Sequence, residues 1–303
     1  MMPPLRLGTR GSPLALAQAR MVATALRDAH GWGPELIEIV PITTTGDQIR
    51  DRPLAEVGGK GLWTKELDRA LAEGLTDISV HSMKDVETIR PDTFTIVAML
   101  PREDVTDRLI GAESLLAVPN GARFGTSSPR RAAQLLARRP DLDIVTFRGN
   151  VETRLRKIAL GEADATLLAS AGLIRLGHRD IGTVLDDLLP APAQGAVGIE
   201  ARTSDKRVQG FLRPIDHAAT HTCVTAERRL LEGLGGSCRS AVAALATLED
   251  GHIRLRAEIL SADGREVERV DTRFPADDIA APGDIARQML ARAAPAIRGL
   301  FAG

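Results

Sequence analysis

Residues 8–18 read Gly-Thr-Arg-Gly-Ser-Pro-Leu-Ala-Leu-Ala-Gln, and residues 125–134 read Gly-Thr-Ser-Ser-Pro-Arg-Arg-Ala-Ala-Gln. In both segments a short apolar strand pattern gives way to Gly-Thr, then to Ser-Pro, and then to a helical pattern. Ser12 and Ser128 suit N-cap positions, and the Pro after each suits the first helical turn, where a missing N–H costs nothing. The repeat predicts two lobes of similar β-α-β construction, which is an α/β fold.

The two halves correspond further along the chain. Apolar runs at 39–42 and 143–145 each lead to a Gly, and a helix-Gly-x-x-Asp-strand pattern occurs at 74–80 and again at 161–167. The first half carries an additional glycine-rich segment, residues 51–61. Its position at the strand ends is consistent with a lid over a cleft or with an ordinary surface loop.

The chain divides into three predicted domains. Lobe one comprises residues 1–100 with 195–213, lobe two comprises 101–194, and a smaller α+β domain comprises 217–303. In this last part the sequence predicts a helix over 218–232, turns at 249–251 and 262–264, and a final helix near 284–299.

Composition limits the function classes. The 303 residues contain 39 Lys+Arg against 40 Asp+Glu and no Tyr, so we expect no nucleic-acid partner. No apolar run approaches the roughly 20 residues that cross a bilayer, so we expect no membrane partner and a cytoplasmic location. Two cysteines cannot form a disulfide framework or a four-thiolate zinc site, and no metal site is predicted.

Cations follow the predicted strands, where ligands of open α/β sheets bind. Arg130 and Arg131 lie in the first turn of a predicted helix, where a cation opposes the helix dipole unless an anion is present. With the free N–H groups of that turn they predict a receptor for carboxylate or phosphate. Further strand-end cations are Arg10, Arg148, Arg154 and Arg175.

Three other residues could take part in chemistry. Asp85 follows Lys84 directly after the strand pattern 77–80, and an ionised carboxylate among cations can stabilise a developing cation or move protons, although a surface Lys/Asp pair is the alternative. Cys238 lies in a glycine-rich loop beside an Arg, which suits either an accessible thiol of lowered pKa or an ordinary loop cysteine. Cys223 shares its helical spacing with apolar residues and is predicted to lie in the core.

Several longer motifs resemble the porphobilinogen deaminase family along nearly the whole chain. They are Thr9-Arg10-Gly11-Ser12-Pro13-Leu14-Ala15, Gly58-Gly59-Lys60-Gly61-Leu62, Val80-His81-Ser82-Met83-Lys84-Asp85-Val86, Gly125-Thr126-Ser127-Ser128, Arg148-Gly149-Asn150-Val151, Ala169-Ser170-Ala171-Gly172-Leu173 and Gln194-Gly195-Ala196-Val197-Gly198-Ile199-Glu200. The resemblance implies two Rossmann-like lobes of the periplasmic-binding-protein type plus the smaller C-terminal α+β domain.

The resemblance also implies an activity. Members of this family are transferases that join four porphobilinogen units head to tail, with release of ammonia, into linear hydroxymethylbilane. The growing chain starts on a dipyrromethane cofactor held by a thioether to a loop cysteine, which is Cys238 in this sequence. We therefore expect porphobilinogen as the small-molecule substrate. We also expect a monomer, because members of the family are typically monomeric.

The resemblance assigns roles to individual residues. Asp85 matches the catalytic aspartate that contacts pyrrole nitrogens and stabilises the azafulvenium-like cation left by ammonia. Cofactor carboxylates are expected on Lys84, Ser128, Arg130, Arg131, Arg148 and Arg154. Substrate or chain contacts are expected on Arg10, Ser12, Arg148, Arg154 and Arg175, and on Lys60 of the additional segment. Glu87 and Trp63 stand where the family commonly has Pro and Phe.

Two other functions are compatible with the residues. A two-lobed binding protein for a small polyanion would share the lobes and the cations. A family member that folds but cannot load its cofactor would share the motifs. The mass of the intact chain distinguishes them, because only a loaded enzyme is heavier than its sequence by one dipyrromethane.

Overall fold

The computed structural model describes residues 4–44, 64–236 and 240–301. The strands in these ranges are β1 (Leu5–Arg10), β2 (Ile37–Ile42), β3 (Ile78–Ser82), β4 (Phe94–Met99), β5 (Asp107–Ile110), β6 (Arg123–Gly125), β7 (Asp143–Val145), β8 (Ala165–Ala169), β9 (Thr183–Leu185), β10 (Val197–Arg202), β11 (Val242–Glu249), β12 (His252–Leu260) and β13 (Val267–Pro275). The helices are α1 (Pro13–His30), α2 (Lys65–Ala72), α3 (Pro129–Arg138), α4 (Val151–Ala159), α5 (Ser170–Arg175), α6 (Lys206–Leu212), α7 (Ala218–Gly233), α8 (Ala281–Arg292) and α9 (Pro295–Arg298).

The first sheet has the strand order β2-β1-β3-β10-β4. Strand β1 runs parallel to β2 and β3, and β10 runs antiparallel to β3 and β4. Apolar side chains from the strands pack against helix α1, with Leu7, Leu26, Ile78 and Ile199 fully buried. Because β1 and β3 are parallel, their carboxyl ends lie at one edge of the sheet, which is the edge where α/β proteins bind ligands.

The second sheet has the strand order β7-β6-β8-β5-β9 and repeats this construction. Strand β6 runs parallel to β7 and β8, and β5 runs antiparallel to β8 and β9. Its core contains the fully buried side chains of Leu109, Phe124, Leu135 and Leu167. The prediction of two lobes of like topology is confirmed.

The third sheet is a smaller antiparallel meander, β11-β12-β13. Leu230, Leu255 and Met289 belong to the core that it forms with α8 and the end of α7. The predicted turn at 249–251 joins β11 to β12, and Asp250 and Gly251 both have positive φ there, 49° and 73°. The fold class is therefore α/β, with two lobes and a smaller C-terminal α+β part, as predicted.

The final helix differs from its prediction. Instead of one helix over 284–299, the chain forms α8 and α9, separated by Ala293 and Ala294. Both alanines are extended, with ψ of 146° and 153°. Ala294 precedes Pro295, and the proline ring disfavours helical geometry in the residue before it.

The chain forms two compact units. In the described ranges, unit 1 comprises 4–44, 64–103 and 195–221, and unit 2 comprises 104–194, 222–236 and 240–301. Lobe two and the C-terminal sheet thus share a unit, and the three domain boundaries from the sequence stay a prediction. None of the helices in these ranges combines the length and the apolar character needed to cross a membrane.

Candidate functional site

Two helix N-termini hold the serines of the repeated Ser-Pro pair. The Oγ of Ser12 accepts a hydrogen bond from the Ala15 N–H at 3.3 Å, and the Oγ of Ser128 accepts one from the Arg131 N–H at 3.4 Å. Both serines cap their helices, as predicted, and a Pro stands in the first turn of each. The contacts that the resemblance implied for these hydroxyls with substrate and cofactor stay a prediction.

Asp85 lies in a single 3₁₀ turn, Met83–Asp85, that directly follows β3. The Met83 N–H donates to the Ala196 carbonyl at 3.1 Å, and the Met83 side chain is only 1% exposed. That side chain rests on the backbone of Gly198 in β10, where an added Cβ would lie 2.1 Å from the Met83 sulfur. Strand β10 and the residue before it therefore hold the turn through Met83. Asp85 itself is half-buried at the end of β3.

A cavity at this edge of the first sheet brings predicted residues together. Its lining includes Arg10 from the end of β1, Ser82 from the end of β3, and Asp85. Gln18 of α1 also lines it, and its side-chain amide lies 2.8 Å from the Ser82 Oγ. The structure thus places a cation and the candidate catalytic carboxylate around one space.

A buried charge cluster lies beside this cavity, and sequence reasoning did not find it. The Arg90 cluster consists of Arg90, Thr64, Asp68, Glu87 and Glu200. Arg90 binds Glu200 through two hydrogen bonds of 2.9 Å, Glu87 at 3.0 Å and Asp68 at 2.5 Å. Next to it, the Nε2 of the buried His81 lies 3.3 Å from Glu200. Thr64 and His81 also line the cavity that contains Asp85.

Burial and charge act in opposite directions in the Arg90 cluster. Burial alone would raise the pKa of Glu200, but His81 and Arg90 lower it to about 2. Burial raises the pKa of Asp68, which Arg90 offsets only in part. Burial lowers the pKa of Arg90, yet the bonds from Glu200 and Asp68 raise it above its ordinary value. Arg90 and Glu200 are therefore both charged at neutral pH.

A second cluster lies in unit 2 and has the opposite composition. The Asp107 cluster consists of Asp107, Arg130, Arg131 and Gln194. Asp107 is 1% exposed and accepts hydrogen bonds of 2.7 Å from both Arg130 and Arg131. The Gln194 side chain donates to the same carboxylate at 3.0 Å. Burial alone would raise the pKa of Asp107, but the two guanidinium groups hold it well below its usual range.

This cluster changes the interpretation of Arg130 and Arg131. The sequence predicts that both side chains receive an external anion, whereas the structure buries them to 3% and 7% exposure against an internal one. Arg130 also donates to the Leu189 carbonyl at 3.1 Å, and Arg131 to the Leu167 carbonyl at 2.9 Å. The available signal was Asp107 itself, an acidic residue at the start of the short strand Asp107–Ile110.

A group of cations adjoins the Asp107 cluster. Arg154 lies in the first turns of α4, and its Nε donates to the Gly149 carbonyl at 3.0 Å. Burial lowers the pKa of Arg154 to about 10, and repulsion from Arg131 and Arg148 adds to this effect. Among the described residues no carboxylate lies within ion-pair distance of Arg154. Arg154 therefore carries a largely buried positive charge with no carboxylate partner among the described residues.

The remaining predicted residues have different outcomes. Arg175 ends helix α5 instead of following a strand, because β8 stops at Ala169. Lys84 is half-buried beside Asp85. Cys223 is 7% exposed in the C-terminal core, as predicted. The predictions for Lys60 and Cys238, and for the segment 51–61, lie outside the described residues.

The fold and these strand-end cations define a class, an α/β protein with a site for an anionic small molecule. Residues 5–210 match the family model described as "Porphobilinogen deaminase, dipyromethane cofactor binding domain", and residues 221–291 match "Porphobilinogen deaminase, C-terminal domain". The chain is 56% identical over 307 residues to the porphobilinogen deaminase of Sphingopyxis alaskensis, covering 99% of this chain and 97% of that one. It is 50% identical over 296 residues to that of Paracoccus denitrificans, covering 96% and 95%.

Solved structures of similar fold are more distant. The VFT2 domain of BvgS from Bordetella pertussis is 16% identical with a TM-score of 0.42, over 70% of this chain and 86% of that one. Immunogenic lipoprotein A from Vibrio vulnificus is 15% identical with a TM-score of 0.39, over 72% and 97%. These values are too low to carry any conclusion about this chain.

The chain belongs to the porphobilinogen deaminase family. It is a transferase that condenses four porphobilinogen molecules head to tail into the linear tetrapyrrole hydroxymethylbilane, with release of ammonia. It works with a dipyrromethane cofactor in tetrapyrrole biosynthesis.

The donor set in unit 2 fits such a cofactor. Each pyrrole unit made from porphobilinogen carries two carboxylates, and guanidinium groups bind carboxylates through paired hydrogen bonds. The depressed pKa of Arg154 indicates a guanidinium whose charge an added anion would stabilise. Arg154 is therefore a described side chain of this unit with the chemistry to bind a carboxylate.

Proposed function

We propose that Asp85 is the catalytic carboxylate of the condensation. Its position at the end of β3, beside Arg10 in one cavity, supports this role. A carboxylate there can stabilise the positive charge that develops on the pyrrole when ammonia leaves, and it can accept and return a proton at a pyrrole nitrogen. The contacts of Met83 with β10 anchor the entry side of the turn that carries this carboxylate.

Carboxylate binding rests first on Arg148 and Arg154. Arg131 adds positive potential to them, although its guanidinium is held by Asp107. Arg130 bonds to Asp107, Gln134 and Leu189, which fixes helix α3. Arg130 and Arg131 are also among the proposed contacts of the cofactor carboxylates. The other groups proposed to contact substrate or cofactor are Arg10, Ser12, Lys60, Lys84, Ser128 and Arg175.

Cys238 is the proposed attachment point of the dipyrromethane. The sequence has two cysteines, and the burial of Cys223 among Leu230 and other core residues leaves no room for a two-ring group there. When bound, the cofactor supplies the pyrrole carbon to which the first substrate is added. A thioether suits this purpose because it resists hydrolysis.

The wider context is also part of the proposal. We place the enzyme in the cytoplasm, since no apolar run of the sequence approaches the length that crosses a bilayer, and we expect a monomer, as is typical of the family. The balance of 39 cationic and 40 acidic residues supports the absence of a nucleic-acid partner. The domains proposed are residues 1–100 with 195–213, 101–194 and 217–303. The third carries the attachment loop.

The observation that carries the catalytic assignment is the convergence of Asp85 and Arg10 on one cavity above β10. We expect Asp85→Asn to lower kcat by about 10²–10⁴-fold, the usual contribution of a positioned acid or base, with unchanged thermal stability. The matched control is Asp92→Asn, an exposed aspartate in the same unit, which should keep full turnover. Wild-type turnover by Asp85→Asn would remove the assignment.

Intact mass tests the attachment. The purified chain should be heavier than its sequence by one dipyrromethane, and Cys238→Ala should lose this added mass. Cys223→Ala is the control and should keep it. An adduct retained in Cys238→Ala and lost in Cys223→Ala would move the attachment to the buried cysteine.

A further inference from the structure

Arg90 has a complete set of hydrogen-bond partners, although it does not line the cavity that contains Asp85. A guanidinium carries five N–H donors. In Arg90 they face two Glu200 oxygens, one oxygen each of Glu87 and Asp68, and the Thr64 hydroxyl at 3.5 Å. The side chain is 10% exposed and Glu200 is fully buried. A guanidinium satisfied in this way has a single orientation.

The partners of Arg90 come from separate elements of unit 1. Glu200 lies in the middle of β10, Asp68 lies in α2, and Thr64 immediately precedes α2. Glu87 lies two residues beyond Asp85 in the chain. The Thr64 hydroxyl leaves the N-cap bond of α2 unmade and donates to Glu87 instead, at 3.0 Å. Arg90 therefore joins the segment that follows the Asp85 turn to a central strand and to a neighbouring helix.

The turn that carries Asp85 needs such a support on its exit side. On its entry side it continues from β3 and is anchored by the bond from Met83 to Ala196. On its exit side the backbone is held by the bond from the Val86 N–H back to Met83, at 3.3 Å, within the turn itself. The first side chain beyond Val86 that reaches another element is that of Glu87, through Arg90 and Thr64.

We propose that Arg90 is a positioning residue for the condensation, because it holds Glu87 against β10 and α2 and so fixes the exit of the turn that carries Asp85. This inference rests on the role proposed for Asp85. It predicts that loosening the Glu87 link displaces the carboxylate from the reacting pyrrole and slows the chemical step. Substrate affinity should change little, since no cationic residue of the cavity is altered.

Glu87 is the position at which to test this, because Arg90→Leu would strand the buried charge of Glu200 and endanger folding. We expect Glu87→Leu to lower kcat for porphobilinogen by about tenfold, the cost of a misplacement well under 1 Å, while KM stays within about twofold. Glu87→Gln keeps an acceptor for Arg90 and Thr64 and should recover most of the lost kcat. Arg90→Lys, which keeps the charge but has fewer donors, should resemble Glu87→Leu.

The matched control is Arg6→Leu. It breaks an ion pair of 2.9 Å with Asp77 in the same unit, at the start of β1 and thus at the sheet edge opposite the cavity. We expect this variant to lose thermal stability with unchanged kcat. An unchanged kcat in Glu87→Leu, or an equal loss in Arg6→Leu, would overturn the proposal. If Asp85→Asn is itself fully active, the catalytic assignment has failed; if it is inactive while Glu87→Leu is normal, the positioning inference alone has failed.

Discussion

The two buried charge clusters are near opposites. In unit 1, Arg90 is shared by Asp68, Glu87 and Glu200, whereas in unit 2 Asp107 is shared by Arg130 and Arg131. The distances are alike, 2.5–3.0 Å in the first and 2.7 Å in the second. In each cluster, ions of one sign outnumber the single ion of the other sign.

The sign of each excess matches the chemistry proposed beside it. The Arg90 cluster, with three carboxylates to one guanidinium, lies beside the cavity of Asp85, where a cation is proposed to develop on the substrate. The Asp107 cluster, with two guanidinium groups to one carboxylate, lies near Arg154, where the carboxylates of cofactor and product are proposed to bind. Buried charges interact more strongly than exposed ones because water screens them less. The comparison teaches that structural ion clusters can set the potential of a site without touching its ligand.

The largest effect is expected in unit 2. Asp107→Asn would leave two buried guanidinium groups without their shared anion, and breaking a buried ion pair in this way costs about 3–5 kcal/mol. Urea unfolding at neutral pH, followed by circular dichroism, measures the loss. The control is Asp141→Asn, which removes an exposed partner of Arg139 and should cost far less. Equal losses would mean that the Asp107 cluster does not depend on its burial.

The next largest effect is the pH dependence of the stability of unit 1. The pKa of Glu200 is lowered from 4.5 to about 2, so its contribution to stability is complete above about pH 4.5 and disappears as the pH falls toward 2. At neutral pH, Glu200→Gln should therefore cost roughly 3–4 kcal/mol, and the difference from wild type should shrink with acidification. Unfolding midpoints in urea across this pH range test the prediction.

Asp68 provides a control, because its pKa is shifted in the direction opposite to that of Glu200. Because its pKa is raised in the folded chain, protonation of Asp68 stabilises the fold as the pH falls. Asp68→Asn removes this compensation and should make the acid-induced loss of stability steeper than in wild type. A shallower loss would contradict the charge balance assigned to the Arg90 cluster.

The smallest expected effect is on stability, and it concerns Arg154 near the Asp107 cluster. In a Cys238→Ala background, which we expect to lack the cofactor, Arg154→Met should raise the free energy of unfolding by on the order of 1 kcal/mol. The reason is that it removes a guanidinium whose charge burial disfavours and which Arg131 and Arg148 also repel. In the loaded enzyme the same change should lower stability and slow bilane formation, since a carboxylate partner is lost. Thermal unfolding, measured in the Cys238→Ala background and in the loaded enzyme, shows whether Arg154→Met stabilises the first and destabilises the second. A loss in both backgrounds would show that Arg154 serves the fold instead of the anion.

The sequence predicted the parts of the fold that local rules control. Ser12 and Ser128 were identifiable as N-caps because Ser-Pro before a helical pattern has a local physical reason. The lobes followed from the repetition of that signal, and Arg10 and Asp85 from their places just after strands. Each of these inferences needs only a few neighbouring residues.

The charge clusters were missed because their pairing is long-range. Asp107 lies 23 residues before Arg130, and Glu200 lies 110 residues after Arg90. No periodicity relates such positions, since their contact depends on which strands become neighbours in the sheet. Two local signals were present. Glu87 and Arg90 lie three residues apart, and Glu200 is an acidic residue in the apolar run Val197-Gly198-Ile199-Glu200-Ala201, where a buried carboxylate requires a partner.

The contact between Gly198 and Met83 limits how this sequence can vary over evolution. An added Cβ at 198 would lie 2.1 Å from the Met83 sulfur, so the Met83 side chain must move before any side chain fits at 198. A shorter residue at 83 would make room for a methyl group at 198. We therefore expect these two positions to change in concert across related chains, and a laboratory search for active Gly198 variants to recover second-site changes at 83.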